Sequence, residues 1–246
     1  MKIAILGYGK MGKMVESVIA RDGIHEVCMK TNSSIRNDFQ TSLKNADAAI
    51  DFTSPAIVMH HLTACLQAGI PLIIGTTGWH DELEKIKLLC KEKNGAVIYA
   101  SNFSIGVNIF FGVNHKLAQM MKYRKEYEPR ITEIHHVQKK DAPSGTAITL
   151  ANDILKYSAA KTQLVNKESG RSDELIVLSR REGTVTGLHE VEFTSAIDRI
   201  TITHEAFSRE GFARGAILAA EWIQNKKGFF EFNEIFTDIL ASSEAD

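Results

Sequence analysis

Lys2-Ile3-Ala4-Ile5-Leu6-Gly7-Tyr8-Gly9-Lys10-Met11-Gly12 runs a short apolar segment straight into a G-x-G-x-x-G turn. Met11, Met14, Val15, Val18 and Ile19 then recur at helical spacing, so the stretch reads as strand, tight turn, helix. Glycines in such a turn let the backbone approach a pyrophosphate, and the helix that follows offers unpaired N–H groups to it. Outward from this unit the same rhythm repeats. Strands are predicted at 25–30, 47–52, 70–74 and 96–100, with helices at 57–68 and 82–93. Strand and helix periods that alternate in this way imply a parallel sheet covered on both faces, an α/β fold of the Rossmann-type doubly wound kind.

The rhythm stops after Asn102. A long helical segment at 107–121 leads into a charged stretch at 122–130, and strands dominate from Ile131 onward, at 174–178, 184–193 and 199–204. Gly183 and Gly187 interrupt the middle run. Successive strands there read as antiparallel, which gives an inserted α+β domain of mostly antiparallel or mixed sheet. Two closing helices, at 211–225 and 229–240, return to cover the first domain, and the tail from Ser242 to Asp246 is expected to fray. The expected division is therefore a dinucleotide-binding domain from residues 1–104 and 210–246, and a substrate-binding and oligomerisation domain from residues 105–209.

The 246 residues carry 29 Lys and Arg against 30 Asp and Glu, a net charge of −1, which argues against a nucleic-acid footprint and for small-molecule partners. No apolar run reaches the roughly 18 residues of a membrane span, and no cleavable leader pattern precedes the first strand. Cys28, Cys65 and Cys90 have no metal-ligand spacing and fit buried thiols in a reducing compartment, so no metal is expected and the chain reads as cytoplasmic.

The acidic residue that usually follows a dinucleotide turn by roughly 20 positions is missing, because the second strand ends in Lys30-Thr31-Asn32-Ser33-Ser34. A lysine among hydroxyls and amides suits a 2′-phosphate, so NADPH is expected to serve at least as well as NADH. Lys10 adds positive charge beside the phosphates. Asp51-Phe52-Thr53-Ser54-Pro55, Gly75-Thr76-Thr77-Gly78-Trp79 and Ala100-Ser101-Asn102-Phe103 fall at C-terminal strand ends, where an open parallel sheet binds its ligands.

A second dense segment is Glu133-Ile134-His135-His136-Val137-Gln138-Lys139-Lys140-Asp141-Ala142-Pro143-Ser144-Gly145-Thr146. The apolar residues through Val137 read as a strand, and Pro143 followed by small polar residues reads as the opening of a helix. Imidazole moves protons near neutral pH, the lysine adds fixed positive charge or a second proton, and the helix N-terminus can cradle an anion.

Taken in order, the glycine turn, Asp51-Phe52-Thr53, Gly75-Thr76-Thr77-Gly78, Asn102-Phe103-Ser104-Ile105-Gly106-Val107-Asn108, the His-His-Lys segment and His204-Glu205-Ala206-Phe207-Ser208-Arg209 resemble the dihydrodipicolinate reductase family, also called 4-hydroxy-tetrahydrodipicolinate reductases. The resemblance runs to about residue 220. It implies an NAD(P)H-dependent oxidoreductase that reduces a cyclic imine dicarboxylate to tetrahydrodipicolinate on the route to diaminopimelate and lysine. It further implies His135 as general acid, Lys139 as its cationic partner, and His136, Ser144, Gly145, Thr146 and Thr77 as substrate-binding. Cofactor contacts are implied at Gly7, Tyr8, Gly9, Lys10, Met11 and Gly12, at Gly75, Thr76 and Thr77, and at Ala100, Ser101, Asn102 and Phe103, with Lys30 at the adenosine end. Arg209 resembles a family arginine near the domain junction, and a homotetramer is implied.

Two features depart from the longer members: the glycine turn is one residue tighter, and only about 20 residues separate the second strand from Asp51. Two alternatives are a dinucleotide-binding sensor without chemistry and a related oxidoreductase of amino acids or aldehydes.

Overall fold

The computed structural model describes residues 1–32 and 39–243. Ser33 and Ser34, expected beside the adenosine site, and residues 244–246 of the expected frayed tail lie outside the described residues. The chain forms two compact units, Met1–Ile105 with Arg209–Asp246, and Gly106–Ser208.

In the first unit, β1 (Lys2–Leu6), α1 (Lys10–Asp22), β2 (Glu26–Thr31), α2 (Phe39–Leu43), β3 (Ala48–Asp51), α3 (Pro55–Ala68), β4 (Leu72–Ile74), α4 (Leu83–Glu92) and β5 (Ala96–Tyr99) follow one another. A six-stranded sheet runs in the order β11-β5-β4-β3-β1-β2, where β11 is Gly228–Glu231, and every neighbouring pair is parallel. Such strands are apolar on both faces because both faces are covered. Ile3 and Ile5 of β1, Ile50 of β3, Ile73 of β4 and Ile98 of β5 join α1 and the later helices α7 (Glu210–Trp222) and α8 (Phe232–Ser243) in one core. Their neighbours Ala4, Leu6, Ala49, Leu72, Ile74 and Val97 point the opposite way and pack with α3 and α4. The expected Rossmann-type sheet is therefore present.

The second unit holds α5 (Ile105–Met121), whose first residue closes the first unit, then β6 (Glu128–His135), α6 (Gly145–Tyr157), β7 (Gln163–Val165), β8 (Glu174–Arg181), β9 (Gly187–Thr194) and β10 (Arg199–Ala206). Its sheet runs β10-β9-β6-β8-β7. β9 pairs antiparallel with both β6 and β10, but β8 pairs parallel with β6 and β7. The sheet is thus mixed: α6 is a crossover that returns the chain to the start of the sheet, and a crossover makes neighbours parallel. One face packs Ile131, Val177, Val191 and Phe193 against Leu150, Ala151 and Ile154 of α6.

Three expected elements change. The helix expected at 229–240 begins only at Phe232, because Gly228–Glu231 adds to β5 as an edge strand, with Phe229 stacked on Tyr99 (centroids 5.2 Å apart) and Phe230 edge-on to Trp222 (5.2 Å). Aromatic residues alternate well across a half-covered strand. The strand expected at 184–193 starts at Gly187, since Gly183 takes φ +45° and forms the turn before it. The strand expected to include Val137 ends at His135, leaving Val137 exposed in the following turn.

Candidate active site

In the first unit the chain leaves β1 for β2 on one side and returns to β3 on the other, so the C-terminal ends of β1 and β3 mark the switch point where such sheets bind ligands. Gly7 sits there at φ +93°, and a Cβ on it would lie 2.4 Å from the Phe52 carbonyl oxygen. Gly12 is equally confined, because its Cβ would meet the Gly7 oxygen at 2.4 Å. Gly9 differs, since nothing lies within 4 Å of its would-be Cβ. It caps α1 without any side-chain bond, so the first-turn N–H groups face open space that a side chain would fill. This arrangement fits the phosphates of a dinucleotide. The turn is stitched to β2 through Gly7 N to Thr31 Oγ1 (3.1 Å) and Tyr8 N to Thr31 O (2.7 Å). Lys10 and Lys30 are exposed, and Lys30 Nζ lies 2.7 Å from Glu16.

Beneath the turn lies a closed polar knot. Asp51 is fully buried; its Oδ1 accepts from Thr53 N (3.0 Å), Thr53 Oγ1 (2.7 Å) and Thr76 Oγ1 (2.6 Å), and its Oδ2 lies 2.6 Å from His61 Nδ1. Thr76 Oγ1 also accepts from Thr53 N at 2.7 Å. The Thr76 side chain is therefore committed inward, whereas Thr77 is exposed. Phe103 likewise packs inward on Phe232 (4.8 Å) and edge-on to Phe52 (6.5 Å), while Ser101 is exposed and Asn102 half-buried. What Thr76 and Phe103 can present to a ligand is backbone.

In the second unit the 133–146 segment assembles around Glu133, a carboxylate at 0% exposure. Period two on β6 puts Glu133 and His135 on one face, and the antiparallel register sets His189 of β9 opposite Glu133. Both Glu133 oxygens accept from Ser144 N (3.0 and 3.1 Å). Glu133 Oε2 lies 3.5 Å from His135 Nδ1 and 3.7 Å from His189 Nε2, and Oε1 lies 3.6 Å from Arg181 Nη2. The two imidazoles meet edge to face, with centroids 5.0 Å apart. Burial raises the Glu133 carboxyl, but the neighbouring His189 and Ser144 outweigh it and hold it at about 2. Burial, reinforced by His189, Lys139 and Arg181, pulls His135 down to about 4 despite Glu133 beside it.

Lys139 reaches both oxygens of Asp141 (2.9 and 2.8 Å), and Arg181 donates to the Lys139 and Asp141 carbonyls, clipping the loop to β8. Ser144 caps α6 by accepting from Ala147 N (3.2 Å), and its Oγ also meets His189 Nε2 (3.1 Å). Ser144 is engaged on both its N–H and its hydroxyl, Gly145 is exposed and Thr146 is half-buried. His136, in the turn after β6, is half-buried. Glu133, His135 and His189 each offer a ligand atom within 4.8 Å of the others and could hold a metal ion. Arg181 already supplies positive charge to the carboxylate and the Ser144 N–H a hydrogen bond, which favours a proton network over a dication.

Glu133, Arg181 and His189 went unassigned on sequence. Glu133 stood two residues before His135, a same-face spacing, but only the β6–β9 register reveals its partner. Residues 106–208 lie in one compact unit and contain His135, His136, Lys139, Ser144, Gly145 and Thr146; Thr77 and the glycine turn belong to the other.

A parallel doubly wound sheet with an open glycine turn, joined in one chain to a second unit with a histidine–carboxylate site, defines a dinucleotide-dependent oxidoreductase. Models of the N-terminal and C-terminal parts of dihydrodipicolinate reductase match residues 1–103 and 106–236. The chain belongs to the dihydrodipicolinate reductase family and is an NAD(P)H-dependent oxidoreductase. It is 44% identical to the 4-hydroxy-tetrahydrodipicolinate reductase of Christiangramia forsetii, over 98% of this chain and 99% of that one. It is 39% identical to the enzyme of the same name from Methanosarcina acetivorans, over 80% and 76% of the two chains. Its fold matches the dipicolinate-bound dihydrodipicolinate reductase of Paenisporosarcina sp. TG-14 with a TM-score of 0.75 at 23% identity, covering 96% of this chain and 99% of that one. Among the described residues, no helix is long and apolar enough to cross a membrane.

Proposed function

We propose that His135 is the general acid and Lys139 its cationic partner as this reductase converts 4-hydroxy-tetrahydrodipicolinate to tetrahydrodipicolinate in diaminopimelate and lysine biosynthesis. The observation that carries this reading is the pairing of His135 with buried, ionised Glu133 at the mouth of α6. Gly7 to Gly12, with Gly75 to Thr77 and Ala100 to Phe103, would hold a nicotinamide cofactor, which would supply the hydride. The 4-hydroxyl leaves as water to give an unsaturated ring, and hydride addition to that ring leaves electron density that an adjacent acid must quench with a proton. With its pKa at about 4, His135 is neutral at pH 7 in the free protein. A dicarboxylate substrate brings negative charge, raises the imidazole and loads it with the proton that turnover requires. Gly145 and Thr146 at the α6 N-terminus, with His136, hold the carboxylates; Ser144 shapes this turn from beneath. The dipicolinate bound to the Paenisporosarcina relative supports a planar dicarboxylate as the ligand class.

Lys30, exposed near the end of β2, is read as the ligand of an NADPH 2′-phosphate, and both NADPH and NADH serve as cofactors. The three unpaired cysteines fit the cytoplasm. The sheet of the second unit ends in β10, beside which Ile197 and Phe207 are 86% and 88% exposed, and copies of the chain associate there as a homotetramer.

The test follows NADPH and NADH oxidation with substrate formed in place by a coupled synthase. His135→Gln should lower kcat by about 10² to 10⁴ with cofactor affinity retained. Undiminished turnover in that variant would remove His135 from the chemistry.

A further inference from the structure

Glu16 projects from α1 toward the end of β2, where its Oε1 lies 2.7 Å from Lys30 Nζ. Tyr8, inside the glycine turn, donates its hydroxyl to the other Glu16 oxygen, and Lys30 Nζ stands 4.9 Å from the centre of the Tyr8 ring. Backbone bonds from Gly7 and Tyr8 to Thr31 fix the turn against the strand that carries Lys30. The adenosine ribose of a dinucleotide sits between such a turn and the end of the second strand. Glu16 therefore brings, from a helix, the carboxylate that the C-terminal end of β2 lacks.

We infer that Glu16 is a specificity-determining residue that sets the balance between NADH and NADPH by occupying Lys30. This rests on the reading of Lys30 as the 2′-phosphate ligand. A ribose 2′-hydroxyl is a neutral donor that a carboxylate accepts, and NADH leaves the Glu16–Lys30 pair in place. A 2′-phosphate is an acceptor only; it must take Lys30 from Glu16 and then lie beside a like charge. Lys13, whose Nζ is 5.9 Å from the Tyr8 ring, and Lys10 supply positive charge nearby, so NADPH is admitted at a disadvantage rather than excluded.

The experiment measures dissociation constants of NADPH and NADH by nicotinamide fluorescence, without substrate, for the wild type, Glu16→Gln, Lys30→Met and the double variant. Glu16 and Lys30 are surface side chains, and thermal midpoints near that of the wild type verify folding. Glu16→Gln should tighten NADPH about three- to five-fold, the scale of an exposed ion pair, and leave NADH unchanged or weaker. The gain should shrink in the Lys30→Met background. An NADPH to NADH ratio that stays put in Glu16→Gln while Lys30→Met selectively weakens NADPH would overturn the role of Glu16 and leave the Lys30 reading intact. Lys30→Met that weakens neither cofactor would overturn the Lys30 reading, and the inference with it.

Discussion

Asp51 in the first unit and Glu133 in the second are both fully buried carboxylates near the C-terminal end of a central strand, but they are satisfied in different ways. Asp51 has short bonds from two hydroxyls, a backbone N–H and an imidazole, and these close the knot around it. Glu133 has one backbone N–H shared between its oxygens, while Arg181, His135 and His189 stand off at 3.5 to 3.7 Å. His135 Nδ1 and His189 Nδ1 make no hydrogen bond among the described residues. A fully bonded buried network holds shape, whereas one with spare capacity can take up or pass a proton with small shifts. The first unit thus spends its carboxylate on loop geometry, and the second keeps its carboxylate next to the groups assigned to proton transfer.

The largest blow to this contrast should come from Glu133→Gln. Removing the charge leaves Arg181 uncompensated and should cost about 3 to 5 kcal/mol, read from urea unfolding, together with a fall in kcat. Unchanged stability and turnover would mean that Glu133 is a bystander. The pH dependence should be nearly as large. His135 is depressed from 6.5 to about 4, so its protonated form is disfavoured in the fold and the unfolded chain takes up the proton first. Stability should therefore fall as pH drops below about 6.5, by roughly 3 kcal/mol once pH 4 is reached. Glu133 is also depressed, so its contribution is present above about pH 4.5 and is lost as pH falls toward 2. Urea midpoints between pH 7 and pH 4 should flatten in His135→Gln; an equal slope in both proteins would place the titration elsewhere. Smaller still is Thr76→Val in the closed knot. It removes the hydroxyl bonded to Asp51 and should cost about 1 to 3 kcal/mol, with cofactor affinity weakened because the 53 and 76 loops lose their tie. Calorimetry and nicotinamide fluorescence would show the two losses together, and a stability loss without weaker binding would confine the knot to folding.

The sheet of the first unit was legible because its signals are local: an apolar strand, a glycine turn and a helix stripe sit next to each other at residues 2–19. β11 was not, because Phe229 and Phe230 suit an amphipathic helix as well as an edge strand, and only the uncovered side of β5 decides between them. That residues 133–146 gather into one polar cluster was legible from the density of polar residues in one segment. His189 and Arg181 were hidden because they reach Glu133 through strand pairing, and pairing partners about 50 positions apart leave no periodic trace. His61 and Glu16 were missed for a related reason: each looks like an ordinary helix residue until the strand end it meets is known.

β11 closes the first unit at residues 228–231, long after β5 at 96–99. During synthesis the open edge of β5, and the face later covered by α7 and α8, must wait while the intervening 106–208 unit is made. That unit is contiguous in sequence and can fold as soon as it emerges, so the order of maturation is inside out, with the nucleotide half finishing last. A truncated chain that ends near residue 208, released from the ribosome, should therefore carry a protease-resistant second unit and a first unit still open to cleavage.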